Sequence, residues 1–357
     1  MQGSANIILN RILITAAKRK ASSVHLSVNA YPTLRVDSEL VELKEEVVLT
    51  REFLERFAEE FLDENQKKEL ETNKGVIFVR EFAGKFRFKV NLFYQKGVLA
   101  AALFLIPAAI PLLVNLGLPK VIYGLTGKKN GLIVIAGPYG SGRTTTMVAI
   151  VEEINKDQKE NVLIIEKPIE YIFANKESLI EQREVGRDVN SFTSALQYCQ
   201  GTDVDVVAVG VNNEVGVMPL VLDLASSAKL VICQLDTISV IQTVEEILAS
   251  FPSAAQSQAQ SVLADSLLAI VVQRLVPKIG GGLVLASEVL IATQAVRSLI
   301  KEGRLKQITT IMQSSRTEGM STLDQSLADL VRAGEVLIDQ AVNYATNPES
   351  LRSIAKS

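Results

Sequence analysis

Eight consecutive residues have the types and spacing of a phosphate-binding loop: Gly137-Pro138-Tyr139-Gly140-Ser141-Gly142-Arg143-Thr144. An apolar run, Leu132 to Ala136, precedes them, and a helix-like stretch from Thr144 to Ile154 follows. This strand–loop–helix order lets backbone N–H groups converge on phosphates at a helix N-terminus. Arginine stands where such loops usually carry lysine. The loop predicts a nucleoside triphosphate site built from these residues: Gly137, Gly140, Ser141, Gly142, Arg143, Thr144 and Thr145, with Thr144 reaching Mg²⁺ through the nucleotide.

The strands expected around this loop place further side chains beside it. Short apolar runs alternate with helical stretches, which predicts βαβ units and a mostly parallel sheet. These runs are Leu132–Ala136, Val162–Ile165, Asp205–Val209 and Leu230–Cys233. Ligands of such sheets bind at the carboxyl ends of the strands. The residues to examine for chemistry are therefore Glu166-Lys167, Gly210-Val211 and Leu235-Asp236, together with the loop. Asp203 and Asp205 are interpreted as residues that flank a strand.

The flanking parts of the chain are predicted separately. From Gln256 onward we expect mostly helix, broken by Gly280-Gly281-Gly282 and a strand-like run over Leu283–Ile291. The part before Pro107 has mixed patterns, which predict a small α+β domain over residues 1–107. Its expected elements are a helix over 6–20, strands over 24–26 and 33–36, an amphipathic helix over 51–70, and a hairpin of 76–82 and 85–93 joined at Ala83-Gly84. A linker over 108–130 then leads to the nucleotide-binding domain, 131–357.

One apolar segment is long enough to cross a membrane. Gly97 to Val114 carries no charge, but Pro107 and Pro111 lie within it, and proline disrupts a helix interior. We favour a buried strand that runs into an apolar linker over a membrane helix. Direct membrane association through this segment is kept as a weaker alternative.

Composition restricts the function further. The chain has 357 residues, a length that predicts two domains. Its formal net charge of −3 argues against a bulk nucleic-acid binder. His25 is the only histidine. A catalytic triad could therefore use only this histidine, and a metal site could draw at most one histidine ligand from the chain. Cys199 and Cys233 lie in apolar surroundings and are expected to be reduced, buried thiols of a cytosolic protein.

Read in order, the motifs resemble those of the type II/IV secretion ATPases. Within that superfamily they are most similar to the type IV pilus retraction (twitching motility) ATPases of the PilT type. The resemblance covers nearly the whole chain and rests on these segments: GPYGSGRTTT, IIEKPIEY, EQREVGRD, DVDVVAVG, LDTISVIQTVEEILASFP, VVQRLVPKIGGG, ATQAVRSLIKEGRLKQI and GMSTLDQSLADLVRAGEV. It implies an α/β protein: a PAS-like N-terminal domain, a RecA-like P-loop ATPase domain, a hexameric ring, and ATP with Mg²⁺ bound between subunits.

The chain departs from this family at positions that carry its chemistry. Lysine of the loop is replaced by Arg143, and the acid after Glu166 by Lys167. Val211 occupies the position of the family's catalytic glutamate. Lys229 and Asp236 replace two histidines. Lys89, Gly97 and Phe104 replace N-terminal-domain arginines that reach a neighbouring subunit's nucleotide. The remaining family positions are retained: Gly137, Gly140, Ser141, Gly142, Thr144, Glu166, Arg183, Glu184, Arg187 and Gln273.

These departures predict a site in which hydrolysis is more impaired than binding. An apolar Val211 cannot accept a proton from water, and general-base help contributes roughly 10²- to 10⁴-fold. Arginine keeps the charge of lysine but presents a larger planar group, so the exchange at Arg143 is not conservative. The candidate replacements for the missing base are Glu166, Asp236 and Glu214.

Two functions stay open. One is a regulatory or scaffolding ring subunit that binds ATP and is impaired in hydrolysis. It would assemble as a homo-hexamer, or with an active paralogue, and contact pilus-base or inner-membrane platform proteins. The other is an active hexameric ATPase with a rewired site that powers pilus retraction. Either protein would be cytoplasmic, associated at most peripherally with the inner face of the membrane, and would have no nucleic-acid partner.

Overall fold

A computed structural model describes residues 3–36, 39–82, 84, 86–211 and 214–356 of the chain. It divides into two compact units, Met1–Ala109 and Ile110–Ser357. In the described part of the first unit, six strands form one antiparallel sheet in the order β3-β2-β1-β6-β5-β4. Its elements are α1 (Gly3–Lys18), β1 (Ser23–Ser27), β2 (Thr33–Val36), β3 (Glu39–Glu42), α2 (Arg51–Phe61), α3 (Glu64–Asn73), β4 (Gly75–Phe82), β5 (Phe86–Gln95) and β6 (Val98–Ile106). A small α+β domain is therefore confirmed.

The single amphipathic helix expected over residues 51–70 is wrong. The chain forms α2 and α3, and α2 ends at Phe61, before Leu62, whose backbone is extended. The next residue, Asp63, starts α3 with a capping box: its carboxylate accepts from the Gln66 N–H at 2.9 Å, and the Gln66 side chain accepts from the Asp63 N–H at 3.1 Å. Such a reciprocal cap satisfies two backbone donors at a helix N-terminus. It therefore allows a second helix to begin inside a segment whose amphipathic pattern is continuous.

The hairpin and the long apolar run follow the predicted structure. β4 pairs with β5 from Gly75↔Phe93 to Phe82↔Phe86, while Ala83 and Lys85 lie outside the described residues. β6 covers the first half of the apolar run and lies between β1 and β5, with Leu103 fully buried. No helix in the described part of the chain is long and apolar enough to span a bilayer.

The second unit contains a seven-stranded sheet among its described residues, ordered β13-β12-β7-β11-β10-β8-β9. The ladders are parallel except for β12–β13, so the mostly parallel sheet is confirmed. Its strands are β7 (Gly131–Ala136), β8 (Asn161–Glu166), β9 (Leu179–Glu184), β10 (Val206–Val209), β11 (Leu230–Leu235), β12 (Leu267–Pro277) and β13 (Leu283–Ile291). Its helices are α4 (Val121–Thr126), α5 (Arg143–Asp157), α6 (Phe192–Gln200), α7 (Val217–Ser226), α8 (Val240–Ala249), α9 (Gln256–Ser266), α10 (Gln294–Lys301), α11 (Ile308–Ser314), α12 (Leu323–Arg332), α13 (Ile338–Val342) and α14 (Pro348–Lys356).

β12 is a strand that the prediction of mostly helix after Gln256 missed, although helices α9 to α14 make up most of the secondary structure there. Its sequence, LLAIVVQRLVP, contains an almost continuous apolar run because β7 and β13 flank it and both faces of the sheet are covered. Such a run has no period that separates a buried strand from a buried helix. β9 was also not predicted, because its polar residues lie at the edge of the sheet.

Helices cover both faces of this sheet and fix the position of the loop after β7. Along β7, Leu132, Val134 and Ala136 pack into a core with α6 to α10, while Ile133 and Ile135 pack into a second core with α4 and α5. Side chains alternate along a strand, so β7 is buried on both faces. The loop therefore leaves the interior of the sheet, with the end of β11 on one side and the middle of β12 on the other.

Candidate functional site

The loop between β7 and α5 has the backbone expected of a phosphate-binding turn. Gly137, Gly140 and Gly142 have φ of +146°, +78° and +90°, a region that favours glycine. A methyl group on Gly137 would lie 2.4 Å from Ser141 Oγ and 2.7 Å from the backbone oxygen of Gln273. Glycine is thus required at residue 137 by contact as well as by conformation.

Two buried polar atoms beside the loop lack a hydrogen-bond partner within the described part of the chain. They are Ser141 Oγ and Gln273 Oε1. Gln273 reaches from β12 to α5, where its Nε2 donates to Thr146 Oγ1 at 2.7 Å. Buried polar groups are normally satisfied. An unsatisfied hydroxyl inside a glycine-rich turn therefore fits a polar ligand such as a phosphate.

The two threonines that open α5 have different surroundings. Thr144 and Thr145 are both half-buried in the first turn. Thr145 hydrogen-bonds the hydroxyl of Tyr171, whose pKa burial raises. Tyr171 follows β8 and was not among the predicted site residues. A hydroxyl at the first turn is suited to Mg²⁺ held by a nucleotide, and for Thr144 this role remains a prediction.

Arg143 is directed towards the neighbouring strand β11. Its side chain is only 8% exposed, and its Nη1 donates to the backbone oxygen of Leu235 at 2.7 Å. The same nitrogen forms an ion pair with Asp236 Oδ1. The first backbone N–H of the loop, on Gly137, also donates to the Leu235 oxygen, at 3.3 Å. The end of β11 therefore contacts both the loop and its cation.

This contact changes the interpretation of Asp236. It was a candidate catalytic carboxylate, because it follows a strand at the functional edge of the sheet. In the structure one of its oxygens holds Arg143, while its side chain remains 48% exposed. One carboxylate oxygen of Asp236 is therefore engaged by the cation of the loop.

Val211 and Glu166 lie at the ends of adjacent strands. β10 pairs with β8 in parallel, with Val209 opposite Ile165, and the Gly210 N–H donates to the Ile165 oxygen at 2.8 Å. A Cβ atom on Gly210 would lie 3.4 Å from Glu166 Cγ. Glu166 is 4% exposed. The structure thus brings the retained carboxylate next to the position where the expected base is replaced by valine.

Glu214 has a structural role instead of a catalytic one. Its two carboxylate oxygens accept from the backbone N–H groups of Phe192 and Thr193, both at 2.9 Å, at the start of α6. Burial raises the pKa of Glu214, but these hydrogen bonds outweigh burial and hold its pKa below the ordinary value. Of the three candidate bases, Glu214 is therefore the one committed to a helix N-terminus.

The other family positions of this unit lie on the edge strand β9, just after it, and at the amino end of the central strand β11. Arg183 lies on β9 with its guanidinium 4.1 Å from the ring centre of Tyr198. Glu184 accepts from the Ile169 N–H at 3.0 Å, and Arg187 is exposed. Lys229 precedes β11 at the opposite end from Asp236, about 20 Å away by strand rise, and its amine donates to backbone oxygens of residues 202 and 204.

The three substituted positions of the first unit share one hairpin. Lys89 on β5 pairs with Phe104 on β6, and Gly97 lies in the turn between these strands with φ +77°.

The described residues of the chain contain no group of histidine, cysteine, aspartate or glutamate that could hold a metal by itself. Cys199 and Cys233 are buried and free, as expected, and burial raises their pKa to about 11 and about 12.

The chain is similar to secretion-system proteins over almost its whole length. Residues 120–283 match the family model described as type II/IV secretion system protein. The type IV pilus retraction ATPase PilT of Pseudomonas aeruginosa is 32% identical over 342 residues, which cover 96% of this chain and 99% of PilT. A twitching motility protein of Neisseria gonorrhoeae is 35% identical over 291 residues, 81% of this chain and 78% of that protein. The crystal structure of the pilus retraction motor PilT with bound ADP superposes with a TM-score of 0.83, at 36% identity, over 96% of this chain and 98% of that one.

Proposed function

Because the chain belongs to the PilT-like type II/IV secretion ATPases, we propose that it is a type IV pilus motor subunit that binds Mg²⁺–ATP but hydrolyses it slowly. In this proposal the protein regulates or scaffolds a ring of subunits. The observation that carries it is the apolar Val211, which follows Gly210 at the end of β10, where the family's hydrolysis needs a base; Gly210 itself lies against Glu166.

Nucleotide binding is supported by the loop. The positive φ of its glycines, the contact that excludes a side chain at Gly137 and the unsatisfied hydroxyl of Ser141 all fit a phosphate ligand. Gly137, Gly140, Ser141 and Gly142 would hold the phosphates, and Thr144 the metal. Bound Mg²⁺ supplies charge neutralisation at the transferring phosphoryl group.

Slow hydrolysis is supported by the contacts of two of the three alternative bases. Asp236 is paired with Arg143, and Glu214 caps α6. Valine can neither orient a water molecule nor take its proton, so turnover loses a contribution of roughly 10²- to 10⁴-fold. The chain keeps the glycines and the apolar strands that build the fold, which fits a protein used for its shape and its bound nucleotide.

A specific contact favours a second candidate, an active ATPase that powers pilus retraction. Glu166 is buried beside Gly210, directly before the position of the missing base. A carboxylate in this place could orient water from the end of β8 instead of β10. Turnover carried by Glu166 would make the site rewired rather than inactive.

Steady-state phosphate release from Mg²⁺–ATP separates the two functions. We expect a rate at the level of the Arg143→Ala control, while calorimetry detects ATP binding to the wild type. A clear rate that disappears in both Arg143→Ala and Glu166→Gln would establish the rewired motor and contradict slow hydrolysis.

Ring formation is the second part of the proposal. We propose a homo-hexamer or a mixed ring with an active paralogue, in the cytoplasm and bound to pilus-base or inner-membrane platform proteins. Light scattering after size exclusion, with and without ATP, should detect a ring or its co-elution with an active relative. A monomer under all these conditions would contradict this part alone.

A further inference from the structure

Arg143 has its charge compensated by the chain itself. Its guanidinium is 8% exposed and bound to Asp236 and to the Leu235 oxygen. A buried cation is stable only when paired and hydrogen-bonded, so this arrangement needs no added anion. The two partners are 93 residues apart in sequence and meet because β7 and β11 are adjacent.

The pair lowers the positive charge available to a ligand. A phosphate-binding loop normally offers an unpaired cation to the phosphates. Here the arginine contributes +1 and the aspartate −1, so together they add nothing to the attraction of an anion. The Asp236 side chain is 48% exposed, so its carboxylate is only half shielded by protein and would repel phosphates that approach Arg143.

We infer that Asp236 is an affinity-determining residue that competes with nucleotide phosphates for Arg143. The inference rests on the proposed nucleotide site. It gives Asp236 no part in proton transfer. Asp236 makes the chain bind nucleotide more weakly than the loop alone would allow, and this weakening is largest for a nucleotide whose β- and γ-phosphates reach the loop cation.

Removal of the Asp236 charge should therefore have two opposite effects. Without nucleotide, the buried Arg143 loses its partner and the thermal stability of the protein should fall. With nucleotide, the phosphates take over as partner of Arg143, so ATP affinity should rise about ten- to thirty-fold, as expected for one unit charge at a partly screened site. The gain should decrease from ATP to ADP to AMP, because the loop cation faces the β- and γ-phosphates, and ADP lacks one of these and AMP both.

Calorimetry with Mg²⁺–ATP, Mg²⁺–ADP and AMP tests this on the full chain. Asp236→Asn keeps the shape and the acceptor oxygen but removes the charge, and Asp236→His is a second variant of different shape. Asp339→Asn is the matched control, because it changes the net charge by the same amount at a different place. Asp339 lies in the helical part that follows the sheet, and its side chain is 88% exposed.

The outcomes are distinct. Tighter binding by both Asp236 variants, graded from ATP to AMP and absent in Asp339→Asn, supports the inference. If the wild type binds nucleotide and the Asp236 variants bind it with equal or lower affinity, the inference is overturned and the proposed function stands. Binding by the variants but not by the wild type supports the inference and contradicts nucleotide binding by the natural chain. No binding by any protein overturns both.

Discussion

The contact between Gly137 and Gln273, in the middle of β12, gives a quantitative prediction. Alanine at Gly137 or at Gly140 places a side chain at positive φ, which costs about 1–2 kcal/mol in the left-handed region. Only at Gly137 does the new methyl group also meet neighbours, Ser141 Oγ at 2.4 Å and the Gln273 backbone oxygen at 2.7 Å. At Gly140 nothing lies within 4 Å. Overpacking typically adds 1–3 kcal/mol, so we expect Gly137→Ala to destabilise the second unit by about 1–3 kcal/mol more than Gly140→Ala.

Calorimetric unfolding without nucleotide measures this difference, since both variants lie in the same loop and neither changes charge. Hydrogen exchange should show the added loss of protection in β7, α5 and the part of β12 near Gln273. If Gly137→Ala is as stable as Gly140→Ala, the close approach of the loop to β12 is wrong, and with it the reasoning that only glycine fits there.

Three further predictions concern single residues. Val211→Glu alone should leave phosphate release within a few-fold of background, because Arg143 stays paired with Asp236; recovery of about 10²-fold or more would show that one position accounts for the loss. Glu214→Gln should destabilise the protein by about 1–2 kcal/mol at pH 7, as for other helix caps. Because the folded-state pKa of Glu214 is lowered, its contribution is complete above the unfolded value of about 4.3 and is lost as pH falls through the folded pKa; an equal difference between variant and wild type at pH 7 and pH 3 would contradict the cap. Iodoacetamide at pH 8 should leave Cys199 and Cys233 unmodified in the folded protein and label both in denaturant, because burial raises their pKa to about 11 and about 12; rapid labelling without denaturant would refute their burial.

The sequence was sufficient to predict the loop, four parallel strands and the residues that follow them. Loop spacing and short apolar runs are local patterns, and parallel strands bring their carboxyl ends to one edge whatever their order. The ion pair between Arg143 and Asp236 could not be predicted in this way. It depends on β11 lying next to β7, and strand order is a property of the whole sheet.

The errors have similar physical causes. β12 was missed because a strand that is covered on both faces has no alternation in its sequence. Glu214 was considered a possible base, but its role follows from α6 beginning beside it, a contact between distant segments. Side chains whose role depends on a long-range partner are therefore the ones that sequence patterns misassign.

The identity of the nucleotide recovered from the protein tests the central claim most directly. Radiolabelled Mg²⁺–ATP is incubated with an excess of the protein, and the protein is then separated from free nucleotide. After denaturation, the released nucleotide is identified by chromatography. We predict intact ATP, bound and unhydrolysed. Recovery of ADP from the wild type, with ATP recovered from Glu166→Gln, would contradict the account and establish an active motor.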